Sequence, residues 1–86
     1  MAHVKMYIKP YCPYCAKAQQ LLSELGVQNV EIIRVDNSDE LFQEMKNLSG
    51  RHTVPQIFIG STHVGGFTDM YALHQQGGLQ VLLNQE

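Results

Sequence analysis

Val4, Met6 and Ile8 alternate with Lys5 and Tyr7, a period of two that predicts a β-strand over residues 4–8. Pro10 disfavours helical geometry in its predecessor, so the strand stops at Lys9. The period then changes. From Cys12 onward, Ala18, Leu21, Leu22 and Leu25 recur at i, i+3, i+4 and i+7, which predicts a helix ending at Gly26 in left-handed geometry. Residues 30–35, VEIIRV, are β-branched and apolar and predict a second, interior strand. A crossover helix joins the two strands, so they run parallel and form a right-handed βαβ unit.

Asn37 followed by Glu40 predicts a capping pair, and Leu41, Phe42, Met45 and Leu48 then mark one face of a second helix ending at Gly50. VPQIFIGSTHVGG predicts two short strands around a Gly60-Ser61 turn, with Pro55 entering the first and Gly65-Gly66 closing the second. Thr68 is positioned to cap a third helix carrying Met70, Tyr71 and Leu73. Gly77-Gly78 then separates a last short helical turn with Leu79, Leu82 and Leu83. No repeat or linker interrupts this α/β order, and 86 residues predict a single domain spanning 1–86.

Composition narrows the function classes. The chain is 44% hydrophobic and 16% charged, which separates it from disordered polymers. A formal charge of −2 supplies no broad cationic field for nucleic acid or anionic lipid, so an anionic ligand needs a local site. No apolar run reaches the ~18 residues of a membrane span, and MAHVKMYIKP alternates too strongly for a signal-peptide core. The expected location is the cytoplasm. Cys12 and Cys15 fall together in one CPYC, so neither staples distant segments as in secreted mini-domains.

CPYC lies where the first strand gives way to the first helix. Cys12 takes the N-cap position and Pro13 the first helical position, where proline's missing N–H is no loss. Free amides, the helix dipole and nearby Lys9 favour a thiolate, and such surroundings lower a cysteine pKa from about 8.5 to roughly 3.5–7.5. Cys12 is the expected nucleophile. A lower pKa raises the thiolate fraction but reduces intrinsic nucleophilicity by a similar factor at a Brønsted slope of about 0.4–0.5. The larger gain is in leaving-group ability, so turnover benefits more than initial attack. Cys15, one helical turn on, is the expected resolving thiol, less exposed and protonated until Cys12 enters a mixed disulfide.

A lone CxxC is also half of a zinc site. The other half is missing, because there is no third cysteine and His3, His52, His63 and His74 lack paired spacing. No metal ligands are assigned. The chain also lacks a GxGxxG turn and a GxxxxGK[ST] loop, so its electrons are expected from another thiol or a reductase flavoprotein.

KPYCPYC, SGRHTVPQIFI and GGFTDMYAL together resemble the dithiol glutaredoxins, particularly the small bacterial class, over nearly the whole chain. The resemblance implies a thioredoxin-like fold, a four-stranded mixed sheet flanked by helices. It implies a glutathione-dependent disulfide oxidoreductase, with glutathione as co-substrate, no tightly bound cofactor, and disulfide-containing or glutathionylated proteins as clients. A monomer is expected. Lys9, Arg51 and Gln56 would bind the glycyl carboxylate, and Tyr14 would flank the sulfur. Thr53, Val54 and Pro55 match the family's TVP, in which a cis-proline leaves the Val54 backbone free to pair with the cysteinyl unit of glutathione. Gly65 and Gly66 permit close backbone approach, and amides around Phe67 and Thr68 would hold the γ-glutamyl carboxylate, with Asp69 near its ammonium. Many relatives carry cysteine where Phe67 stands, so any role of that thiol is absent here. Two other readings remain open: a carrier reduced by thioredoxin reductase, and a metal or iron–sulfur module using CxxC.

Overall fold

The computed structural model describes residues 2–85. Strand β1 (Val4–Ile8) leads into helix α1 (Pro13–Glu24), β2 (Val30–Arg34) and α2 (Asp39–Ser49). The hairpin β3 (Gln56–Ile59) and β4 (Thr62–Gly65) follows, then α3 (Phe67–Gln75) and α4 (Gly78–Leu83). The sheet order is β2-β1-β3-β4, with β1 parallel to β2 and antiparallel to β3, and β3 antiparallel to β4.

The period-two pattern of the central strands builds both layers. Val4 and Met6 on β1, with Ile57 and Ile59 on β3, meet Ala18, Leu21 and Leu22 of α1, Met70 of α3, and Leu79 and Leu83 of α4. The intervening residues Tyr7 and Phe58 point to the other face, where Met45 of α2 and Val35 cover them. Each fully buried aliphatic side chain of this kind stabilises the fold by about 1.5–3 kcal/mol relative to exposure.

Three local expectations need correction. The strand expected in the sheet interior, β2, lies at the edge, with Glu31, Ile32 and Arg34 exposed. Its charges suit that position, because edge strands are protected by them. The N-cap of α2 is Ser38, whose Oγ accepts the Leu41 N–H at 3.1 Å, and not Asn37. The N-cap of α3 lies two residues before the expected Thr68, and the helix begins at Phe67. Gly66 is its N-cap, and Asp69 Oδ2 accepts the Gly66 N–H at 2.9 Å. Asp69, the third helical residue, supplies the reciprocal half of a capping box by accepting the N-cap's own N–H, which differs from the bond to the N2 or N3 amide expected of a threonine hydroxyl.

Candidate active site

The chain leaves β1 through Lys9, Pro10 and Tyr11 and enters α1 at Cys12. Tyr11 is fully exposed at a φ of 56°, in the left-handed region. Cys12 is the N-cap in extended geometry, with Pro13 at the first helical position. Its Sγ accepts the Cys15 backbone N–H at 3.1 Å and lies 3.9 Å from the Val54 carbonyl oxygen. Cys12 and Cys15 form a disulfide, with Cα atoms 5.2 Å apart. Cys12 is half-buried and Cys15 is buried. One sulfur therefore faces an incoming group while the other is shielded within the helix.

Cys12 borders a depression of about 460 Å³ that Lys9, Tyr11 and Gln19 also line. A separate depression of about 280 Å³ is lined by Tyr14, residues 53–55 (Thr53, Val54 and Pro55) and residues 66–69 (Gly66, Phe67, Thr68 and Asp69). The fold thus gathers into one groove the loop before β3, the start of α3 and the second residue of α1. The Val54–Pro55 peptide bond is cis. Tyr14 and Phe67 stack with centroids 6.2 Å apart, and Tyr71 continues the stack 5.7 Å beyond Phe67. Phe67 is thereby part of an aromatic wall.

The charged residues hold each other. Asp69 Oδ2 accepts from Arg51 Nη1 at 2.7 Å as well as from the Gly66 N–H. The Arg51 guanidinium first, and the Gly66 amide second, hold the Asp69 carboxyl below its ordinary range. The Lys9 ammonium lies 5.0 Å from the Phe42 ring centroid, on the α2 side. Among the described residues no group of three His, Cys, Asp or Glu is placed to hold a metal ion.

Gln56, expected with Lys9 and Arg51 at the glycyl carboxylate, is bonded to other residues in the free protein. It is fully buried, and its Nε2 donates to Thr53 O at 3.0 Å and Thr53 Oγ1 at 3.2 Å. Its Oε1 lies 2.7 Å from His63 Nε2. As the first residue of β3 it shares one side of the strand with Phe58, and it lines neither depression. His63, which the sequence presents only as an isolated histidine on a short strand, is the residue missed. The signal available was the two-residue alternation along THVG, without any indication of its partner.

A four-stranded mixed sheet flanked by helices, with a disulfide-forming CxxC opening the first helix and a cis-proline facing it, defines the thioredoxin-like class. Comparisons narrow this further. The glutaredoxin family profile matches residues 4–64. A glutaredoxin of Neisseria meningitidis serogroup B is 61% identical over 84 residues, covering 98% of this chain and 99% of the relative. The solution structure of glutaredoxin from Brucella melitensis superposes with a TM-score of 0.84 at 49% identity, covering 96% of this chain and 89% of that one. The crystal structure of a buckwheat glutaredoxin–glutathione complex gives a TM-score of 0.85 at 29% identity, covering 95% and 76% respectively.

This chain belongs to the glutaredoxin family, and is a thiol–disulfide oxidoreductase.

Proposed function

We propose that the protein uses glutathione to reduce protein disulfides and protein–glutathione mixed disulfides, with Cys12 as nucleophile and Cys15 as resolving thiol. The observation that carries this reading is the Cys15 N–H aimed at Cys12 Sγ at 3.1 Å, at a helix start. An amide donor there stabilises a sulfur that carries negative charge, both when it attacks and when it departs.

With a protein disulfide, the Cys12 thiolate forms a bond to one client sulfur, the client S–S bond breaks, and the second client sulfur leaves as a thiolate that takes a proton from water. Cys15, deprotonated, then attacks Cys12 Sγ and expels the first client sulfur. Two electrons have passed to the client, and the protein holds the Cys12–Cys15 disulfide. Two glutathione molecules return the electrons, leaving glutathione disulfide. With a glutathionylated protein, Cys12 attacks the glutathione sulfur, the client thiolate leaves, and a second glutathione releases Cys12 without requiring Cys15.

The roles proposed for the groove follow its chemistry. The Val54 backbone pairs with the cysteinyl unit, beside Thr53 and Pro55, and Tyr14 flanks the reacting sulfur. Amides at Phe67 and Thr68, at the start of α3 after Gly66, take the γ-glutamyl carboxylate, and Asp69 its ammonium. Lys9 and Arg51 serve the glycyl carboxylate. Before binding, Arg51 is engaged by Asp69, and both side chains are nearly half exposed, at 47% and 45%. An exposed pair of this kind is worth about 0–1 kcal/mol, so the ammonium of glutathione displaces the guanidinium at little cost. A sequence-similar glutaredoxin crystallised with glutathione supports that choice of co-substrate. The protein is further proposed to act as a cytoplasmic monomer with one domain over 1–86.

Glutathione-coupled turnover of a protein disulfide and of a glutathionylated peptide tests the reading. Cys12→Ser should abolish both activities. Cys15→Ser should retain removal of glutathione from the peptide while losing two-electron reduction of protein disulfides. Residual activity in Cys12→Ser, or equal turnover with thioredoxin reductase and NADPH in place of glutathione, overturns it.

A further inference from the structure

Gln56 and His63 line neither depression near the cysteines, yet they are joined to the groove wall by a part-buried chain of hydrogen bonds centred on the buried Gln56. The Gln56 amide nitrogen has two hydrogens, and both are directed at Thr53, one at its carbonyl and one at its hydroxyl oxygen. Its oxygen is therefore the end that faces His63, and an oxygen there only accepts. His63 must carry its hydrogen on Nε2. The chain runs in one direction, from His63 Nε2–H to Gln56 Oε1, and from Gln56 Nε2–H to Thr53. It joins β4 to the residue that precedes Val54, whose carbonyl oxygen lies 3.9 Å from Cys12 Sγ.

Packing holds the donor in place. The His63 ring lies with its centroid 4.9 Å from that of Phe58, tilted by 37°, and pairs with Phe58 in the β3–β4 register. Burial first, and the Arg51 charge second, lower the His63 pKa, against the opposing pull of Asp69. At neutral pH the ring is thus neutral with a defined hydrogen position. Truncating His63 leaves the buried Gln56 amide oxygen without its partner, and truncating Gln56 removes both donors to Thr53, so the wall of the groove is then free to shift.

We propose that His63 and Gln56 are positioning residues that hold the Thr53–Val54 segment at the height required for the co-substrate backbone to pair with Val54. They touch neither sulfur nor substrate. This rests on the glutathione reading above, and deepens it by assigning Gln56 a place behind the groove rather than in it.

The test combines kinetics with a spectroscopic measurement that needs no turnover. His63→Phe keeps a ring against Phe58 but removes the donor, and His63→Gln restores an N–H donor without a titrating ring. For a glutathionylated peptide, His63→Phe should raise KM about tenfold, the scale of one lost hydrogen bond, with kcat little changed. His63→Gln should recover most of the loss. The rate of Cys12 alkylation by iodoacetamide should be unaffected in both. In the wild type, nitrogen-15 NMR should show His63 as the Nε2–H tautomer at neutral pH, and in His63→Phe the amide shifts should concentrate at Thr53 and Val54. An Nδ1–H tautomer, a fall confined to kcat, or no recovery with glutamine overturns the proposal. Absence of glutathione-dependent activity in the wild type overturns the proposed function instead, while the tautomer and the Thr53–Val54 shifts still decide the relay.

Discussion

A Cβ on Gly65 would collide with the Asp69 carboxylate, and the backbone there has a φ of +116°, which side chains rarely adopt. Its neighbour differs. Gly66 has a φ of −87°, and a Cβ there would meet Pro55 O at 3.5 Å, an ordinary contact. Gly65→Ala should therefore cost about 1–3 kcal/mol of stability, through strain and the displaced Asp69 carboxylate. Gly66→Ala should cost about 0.5–1 kcal/mol, because alanine is a poorer N-cap than glycine, and should raise KM for glutathionylated peptide, since Gly66 lines the proposed γ-glutamyl end of the groove. Urea unfolding of both variants, with the same turnover assay, checks the pair. Equal destabilisation would show that the Gly65 conformation carries no special requirement.

At the scale of elements, Tyr7 ties the central strand to α2. Its hydroxyl donates to Glu44 Oε2 at 2.7 Å, and its ring meets Phe58 edge-on with centroids 5.9 Å apart. Tyr7→Phe keeps the ring contact and removes the bond, so it should cost about 1–2 kcal/mol in urea unfolding, because the acceptor is a carboxylate. The exposed Glu44 regains water, which limits the loss. Much of the opposite layer, against α1, was legible in the chain. The alternation of Val4, Met6 and Ile8 and the spacing of Ala18, Leu21 and Leu22 specify which faces turn inward, and the structure buries Val4, Met6 and those helix residues accordingly. What periodicity leaves out is lateral order. VEIIRV is apolar enough for a central strand, yet which strand takes the edge depends on how β3 returns beside β1. Caps were ambiguous for a similar reason: Asn37, Ser38 and Thr68 all suit an N-cap, and backbone geometry alone selects Ser38 and Gly66. In the site, CPYC and TVP announce their chemistry locally. The inward turn of Gln56 and its meeting with His63 arise only when β3 and β4 pair.

For the whole molecule, these groups set opposite limits on the pH range of stability. His63 has a pKa lowered from 6.5 by burial first, so the unfolded chain protonates it before the folded one does. Its contribution is present above pH 6.5 and is lost as pH falls through the lowered folded value. Asp69, held below 3.8 by Arg51 first, acts in the same direction further into acid, and its exposure keeps that contribution small. Tyr7 has the opposite sign. Burial first, then Glu44, raises its pKa above the ordinary 10.0, so its contribution is present below that pH and is lost as pH rises toward the folded value. Midpoints of urea unfolding should therefore form a plateau around neutrality, falling on both sides. His63→Gln should flatten the acid limb nearest neutrality, and Tyr7→Phe the alkaline limb, each leaving the other limb intact. If both variants merely lower the whole curve without changing its shape, neither group titrates with folding, and the plateau must come from the many exposed charges acting together.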